Sequence, residues 1–347
     1  MPRFERIQLD PAAWHAVWST FPDRIVFQSP PWIAFLAETQ RAEPVLAALK
    51  EGDETLGHFT GLIVRQFGLR ILGSPFRGWS TPYMGFNLHP GVPRRLAAEA
   101  LPDFAFRQLG CVHFEVTDAH MTDADVAGLG FIQVNHPTLE VDLTQSETAL
   151  FDHMTKSCRW TVRKAEKNGV VIEEAHDPRF AHEFSEQLAD VFAKQRLMPP
   201  FGLGRVQAMI RHVHPTGMLL LLRARDPQRR GIASGIFPAA NLTAFYLCGA
   251  SWRQHQRLYP NELLQWHAMQ RWKKRGIAAY NMVGNKDFKQ KFGGRETSVP
   301  MFYQSKYRWL GRLRASAIPL GRTVLRLAWR LKSLARARPA TPSAPDN

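Results

Sequence analysis

Cations dominate the stretch Lys156 to Gly169, KSCRWTVRKAEKNG. At helical spacing Lys156, Arg159, Arg163 and Lys167 form one ridge with no acid among them, while Leu150, Met154, Cys158, Thr161 and Ala165 share the opposite face. Such a ridge suits a phosphate or another anion; a solvated basic face on a surface helix is the competing reading. Farther on, Phe288 and Phe292 are spaced to anchor one side of a short turn, which leaves Lys289 on another side and Gly293-Gly294 to end it. Lys289 then holds a fixed position relative to a core, or is a plain surface lysine. Its ordinary pKa of about 10 leaves it cationic. In the stretch Gly249 to Arg257, Arg253 and Arg257 precede a helix that Pro260 and Asn261 can start and cap, where they face phosphates or water. The run Pro75 to Phe86, PFRGWSTPYMGF, joins glycines and prolines that let backbone approach a ligand with Trp79 and Tyr83, flat enough for sugar or base rings. A tightly packed loop closing a sheet is the alternative.

The elements that must position these groups repeat in order. A helix at 31–39, strands at 45–50, 56–64 and 69–72, a helix at 93–109 and a strand at 112–116 are followed, after a strand at 138–143, by a similar series. That series has helices at 180–194 and 204–213, strands at 218–224, 231–237 and 243–248, a helix at 261–275 and a strand at 277–281. Between the two, Thr144 and Glu147 make a capping-box pattern before one continuous helix that ends at Gly169. The duplicated order predicts an α/β (α+β) protein with two mixed sheets in tandem, 1–143 and 144–304, followed by a basic segment, 305–347.

Two of these motifs resemble a known family. The pattern from Arg159 to Val170, ending in Arg-Lys-Ala-Glu-Lys-x-Gly-Val, and the later Phe288-Lys289-Gln290-Lys291-Phe292-Gly293-Gly294 look like the FemAB group of GNAT-like acyltransferases, which includes BioF2-like acetyltransferase domains. The resemblance implies two tandem GNAT-like domains, the first on the acceptor side and the second on the donor side. It implies transfer of an acyl or aminoacyl group to an amine or hydroxyl of a cell-envelope precursor, peptidoglycan or polysaccharide. The donor is then aminoacyl-tRNA or acyl-CoA, no cofactor is bound tightly and no metal is required. Arg159, Arg163, Lys164, Arg253 and Lys289 are the implied donor-binding residues, and Trp79, Thr81 and Tyr83 the acceptor-binding ones. The acceptor must lose a proton, for which Glu115, Asp118 and Tyr246 are candidates, although a substrate phosphate could also accept it. The loop after Cys248 has no second glycine of the kind that cradles CoA pyrophosphate, which weakens the reading as a CoA-dependent N- or O-acetyltransferase. A catalytically inactive module that holds RNA or membrane is the reading from a different class.

Composition bounds the rest. At 347 residues and 45% hydrophobic the chain can build two domains, and its first residues carry no apolar signal-like run. A cytoplasmic protein, associated with the inner face of the membrane, is expected. Cys111, Cys158 and Cys248 are widely spaced and read as reduced core thiols. The net charge of +15 is concentrated at the end, where 305–347 hold ten Lys or Arg against Asp346 alone. There Leu320, Val324, Leu327, Leu331 and Leu334 line one helical face and Arg322, Arg326, Arg330 and Arg336 another, the composition of an amphipathic helix on an anionic membrane. A tRNA-grasping arm or an unpartnered basic tail are the other readings of 305–338.

Overall fold

The computed structural model describes residues 1–194, 197, 199 and 202–307, so all but the first three residues of the basic segment lie outside the described residues. In the first half, β1 (Arg3–Ile7), α1 (Pro11–Ser19) and α2 (Pro30–Gln40) precede the meander β2 (Glu43–Glu51), β3 (Glu54–Gln66) and β4 (Leu69–Ser74). It continues through β5 (Phe86–Leu88), α3 (Arg94–Asp103), β6 (His113–Thr117), α4 (Asp123–Val126) and β7 (Ile132–Asp142). The second half runs α5 (Glu147–His153), α6 (Lys156–Lys167), β8 (Val171–Glu174), α7 (Arg179–Lys194), α8 (Leu203–Val213), β9 (Leu219–Arg225) and β10 (Gly231–Ala240). It then adds β11 (Thr243–Phe245), β12 (Cys248–Ser251), α9 (Pro260–Lys274), β13 (Ala279–Asn281), α10 (Asp287–Gln290) and β14 (Arg295–Ser305). The mixed α/β class and the repeated element order are as the sequence predicts. Two differences have local causes: Pro102, which has no N–H, ends α3 early in a wider turn over Phe104–Gln108, and the strand expected at 243–248 is interrupted at Tyr246-Leu247.

Among the described residues fourteen strands make one sheet, with the path β1-β2-β3-β4-β6-β14-β7-β13-β11-β10-β9-β8. Each half contains one parallel pair, β4 with β6 and β11 with β13, joined by a helical crossover through α3 or α9. At the centre the halves exchange their last strands. β14 lies between β6 and β7, and β7 lies between β14 and β13, so the junction is a backbone ladder from Arg295/Glu140 to Tyr303/Ile132. Three apolar clusters flank this sheet. One packs α3 on the first half, around Phe59, Phe104 and Phe114; a second packs α5, α6 and α9 on the second half, around Trp266, Trp272 and Tyr280. The third joins both halves through Phe27, Trp32 and Phe35 with Phe180, Phe184 and Phe245.

The continuous helix expected from Thr144 to Gly169 is two helices. Met154 is extended (φ −65°, ψ 151°), and Thr155 starts α6 afresh by accepting a hydrogen bond from Cys158 N (3.3 Å). Ser146 caps α5 through Ala149 N (3.1 Å), whereas the Thr144 hydroxyl donates to Asp142 Oδ1 (2.6 Å). Gly169 does end the second helix, at φ +74°. Leu150, Met154, Cys158 and Ala165 are buried as expected; Thr161 is half-buried and donates to the Cys158 carbonyl (2.8 Å). Arg159 belongs to the break itself. Its Nη1 donates to the carbonyls of Asp152 (2.6 Å) and Met154 (2.5 Å), satisfying acceptors that the end of α5 leaves open.

Two substitutions separate the faces. Met154→Ala should destabilise by about 2–5 kcal/mol, since the side chain is buried in the second cluster. Arg159→Ala should cost roughly 1–3 kcal/mol through its lost charge-assisted bonds. Urea unfolding of each variant checks both values; an Arg159→Ala protein as stable as wild type would mean that this guanidinium does not hold the break.

Candidate functional site

The second half opens its sheet at one place. β11 runs parallel to β13 through Phe245/Asn281, and the hydrogen bond from Tyr246 N to the Asn281 carbonyl (2.9 Å) continues that contact by one residue. Past it, β12 turns to pair with β10 while β13 leads into Met282, Val283 and Gly284, so the strands diverge and leave a notch. Tyr246 lies at its base, stacked on Phe237 with ring centroids 5.8 Å apart. A Cβ at position 249 would stand 2.6 Å from the Tyr246 phenol oxygen, so only glycine fits there. Lys289, carried by α10, enters the notch: Nζ donates to the Val283 carbonyl (2.6 Å) and sits 5.4 Å from the Tyr246 ring centroid. Burial, then the charge of Lys286, pull its pKa down to about 8, with Cys248 opposing. The lysine therefore remains mainly a cation at pH 7, as expected, but releases its proton more readily than an ordinary one. Burial holds the protons of Tyr246 and Cys248 in place, the thiol being pushed up to about 12, which suits Tyr246 to hydrogen bonding and not to the role of general base.

Val283 and Gly284 also line a cavity of about 320 Å³ whose other walls come from the first half, through Phe76, Arg77, Thr81 and Tyr83, and from His136 and Thr138 on β7. A second cavity of about 450 Å³ continues along the same faces of β7, β13 and β14, past Glu140, Arg295 and Thr297; Tyr83, Asn281 and Val299 border both. The floor between them is fixed by Thr138, whose hydroxyl donates to Asn281 Oδ1 (2.8 Å) and accepts from Gly284 N (3.0 Å). His136 has its pKa lowered by burial and by Arg77, so it is a neutral imidazole at pH 7 and can accept a proton. Of the expected acceptor residues, Thr81 and Tyr83 line the cavity. Trp79 does not. Its ring turns onto Phe76 (4.7 Å) and its carbonyl accepts from Arg205, whose pKa burial lowers to about 10.

The remaining candidates are placed elsewhere. Glu115 is buried on β6 and accepts from Arg77 N (2.9 Å); Asp118, also buried, accepts from Arg94 (2.7 Å), Phe86 N (2.9 Å) and His120 N (2.8 Å). Neither lines either of these two cavities, and both have structural partners. Arg253 is clamped on Asp190 through Nε (3.0 Å) and Nη2 (2.9 Å), and the Arg163 guanidinium lies 5.1 Å from the Phe151 ring centroid. Lys164 is half-buried on α6. Asn261 donates to Ser251 Oγ (3.2 Å) and is not the cap of α9; that position is Tyr259, and Glu262 already puts a carboxylate in the first turn, paired with Lys291 (3.1 Å). The second motif packs on the helix break that precedes the first: Thr155 N donates to the Lys291 carbonyl (2.9 Å), and Gly293, at φ +75°, leaves room for the His153 carbonyl, which a Cβ would approach to 2.4 Å. His136 and Arg205 escape sequence reasoning because neither stands in a motif, and long-range pairing alone brings them to the cleft.

Residues 153–290 match the family model described as an acetyltransferase (GNAT) domain. The solved structure of FemX superposes with a TM-score of 0.70 at 14% identity, covering 89% of this chain and 99% of that one. Residues 153–290 are a GNAT acyltransferase domain, in a chain that has the fold of FemX. The chain also resembles L-PGS from Bacillus licheniformis (TM-score 0.55, 13% identity, 93% of this chain and 96% of that one). A tandem GNAT protein from the clavulanic acid biosynthesis pathway is a third likeness (TM-score 0.50, 12% identity, 88% and 99%). No curated protein matches the sequence.

The notch sets a pH signature. Because the folded pKa of Lys289, about 8, lies below the ordinary 10.5, the unfolded chain binds the extra proton between those values, and this group's contribution makes stability rise with pH across that window. Lys289→Met should remove that contribution: denaturant unfolding should show the variant's advantage over wild type shrinking as pH rises from 8 towards 10. A difference that does not change with pH would mean that the lysine is solvated.

Proposed function

We propose that this GNAT acyltransferase moves an aminoacyl group from tRNA onto an amine of a cell-envelope precursor, with the acceptor in the cavity shared by the two halves and the donor's acyl end in the notch. The observation that carries this reading is the partly desolvated Lys289 in a gap between strands, hydrogen-bonded to a residue of the cavity wall. Acyl transfer needs a donor group where negative charge develops on the carbonyl oxygen, and an ammonium in a low-dielectric notch supplies one. The acceptor nitrogen bonds to the carbonyl carbon and gives its proton to His136, the neutral imidazole lining the cavity, while the tRNA ribose oxygen leaves and takes up the proton that His136 releases. The FemX and L-PGS likenesses agree with an envelope acceptor. A tRNA donor is favoured over CoA because the first turn of α9, where a CoA pyrophosphate would lie, holds Glu262. The exposed cations of α6, Lys156, Arg163 and Lys167, are free of the bonds that occupy Arg159 and suit a tRNA backbone. The reading places the enzyme at the inner face of the membrane, with 305–338 as its anionic-surface contact.

Purified enzyme given charged tRNA or acetyl-CoA with a peptidoglycan precursor tests this. Charged tRNA should raise the melting temperature and support transfer, while acetyl-CoA should bind more weakly than about 10 μM, a threshold of roughly 7 kcal/mol. Lys289→Met should lower kcat by roughly 10²–10³-fold and His136→Gln by roughly 10²-fold, with the fold intact. Tight acetyl-CoA binding with acetyl transfer would replace this reading by the CoA-dependent one; full activity of both variants would remove the assigned roles.

A further inference from the structure

The hairpin between β3 and β4 is closed by Phe67 and Gly68, both at positive φ (+52° and +79°). Turns of this kind favour asparagine, aspartate or glycine, and a phenylalanine there adopts a backbone that L side chains disfavour. It gains no packing in return, since Phe67 is 103% exposed. Leu69 beside it is 39% exposed. Arg65 and Arg70 stand directly opposite each other in the ladder, a like-charge pairing that works against the hairpin; Glu43 offsets Arg70 (3.4 Å).

This tip belongs to one end of the sheet. Val112 N donates to the Arg70 carbonyl (2.9 Å) and Lys306 N to the Val112 carbonyl (2.9 Å), so the last described residues leave the fold beside it. Ile132, which opens β7 at that end, is 52% exposed, and Tyr307 is 47% exposed. Four of the nine large exposed hydrophobic residues among those described therefore lie at this end of the sheet, with the exposed Arg65 and Lys306 beside them. The sequence that continues from this point, 308–338, carries nine Lys or Arg and no acid. We propose that this end of the sheet is a membrane-docking face, in which Phe67 and Leu69 enter the interface of an anionic bilayer and the surrounding cations meet its headgroups. An apolar end flanked by cations, in which Leu69 and Ile132 have no ring to stack on a base beside Phe67 and Tyr307, fits lipid better than nucleic acid. β4 runs from this tip to Ser74, at the edge of the cavity loop, so the cavity lies on the order of 20 Å from the bilayer surface.

The test is sedimentation of the full-length protein with phosphatidylcholine vesicles that contain or lack phosphatidylglycerol. Wild type should partition onto the anionic vesicles. Phe67→Asn should lower that partition roughly ten- to hundredfold while its melting temperature stays equal or rises, because asparagine suits the turn. Phe67→Leu should restore most of the binding. Binding of Phe67→Asn equal to wild type would overturn the proposal. So would a matching loss of affinity for an unrelated RNA duplex, which would make the tip a nucleic-acid contact, or a fall in melting temperature with no recovery of binding in Phe67→Leu, which would make it structural.

Discussion

The divergence of β12 from β13 is the constraint on which the site depends. The contact between their strands ends at Tyr246 and Asn281, and β12 is drawn away because its residues pair with β10, where Gly249 faces Gly235. Both glycines lie under aromatic rings: a Cβ at 235 would meet Phe237 at 2.5 Å, and one at 249 would meet Tyr246 at 2.6 Å. The stacked pair Phe237 and Tyr246 therefore fills the base of the gap and leaves its upper part to Lys289. Burial in this gap and the charge of Lys286 loosen the lysine's hold on its proton, although the aromatic face and the Val283 carbonyl favour its charged form. Here the packing of a sheet sets the protonation behaviour of a side chain.

Strand exchange makes the cavity a joint property of both halves. Because β7 pairs with β13 and β14 with β6, Thr138 from one half and Asn281 from the other share a hydrogen bond in the floor. The loop that carries Thr81 and Tyr83 closes over this floor, and Arg205 of the second half holds that loop through the Trp79 carbonyl. Neither half alone encloses the space. The cavity and the notch are thus fixed relative to each other by backbone ladders, the condition that proximity catalysis requires.

Much of this was legible in the sequence where the signals are local. The apolar face through Leu150, Met154, Cys158 and Ala165, the stop at Gly169 and the order of helices and strands follow from periodicity and turn chemistry. The helix break at Met154-Thr155 was not, because the apolar spacing runs through it while the capping contact of Thr155 on Cys158 N competes locally. The exchange of β7 and β14 depends on pairing across more than a hundred residues, which no local pattern encodes. The same limit explains the candidates that moved. Asp118 meets Arg94 and Phe86 only in the folded chain, Arg253 meets Asp190, and Trp79 turns onto Phe76, so residue types suited to chemistry became structural ones.

The central claim is that Lys289 is a partly desolvated amine at the donor end of the cleft. Competitive labelling with a small amine-directed acylating reagent, read by peptide mass spectrometry across pH, measures it directly. The account expects Lys289 to titrate near pH 8, below the surface lysines, and to be protected when charged tRNA is added. Labelling with the ordinary lysine profile, or labelling that charged tRNA leaves unchanged, would contradict it.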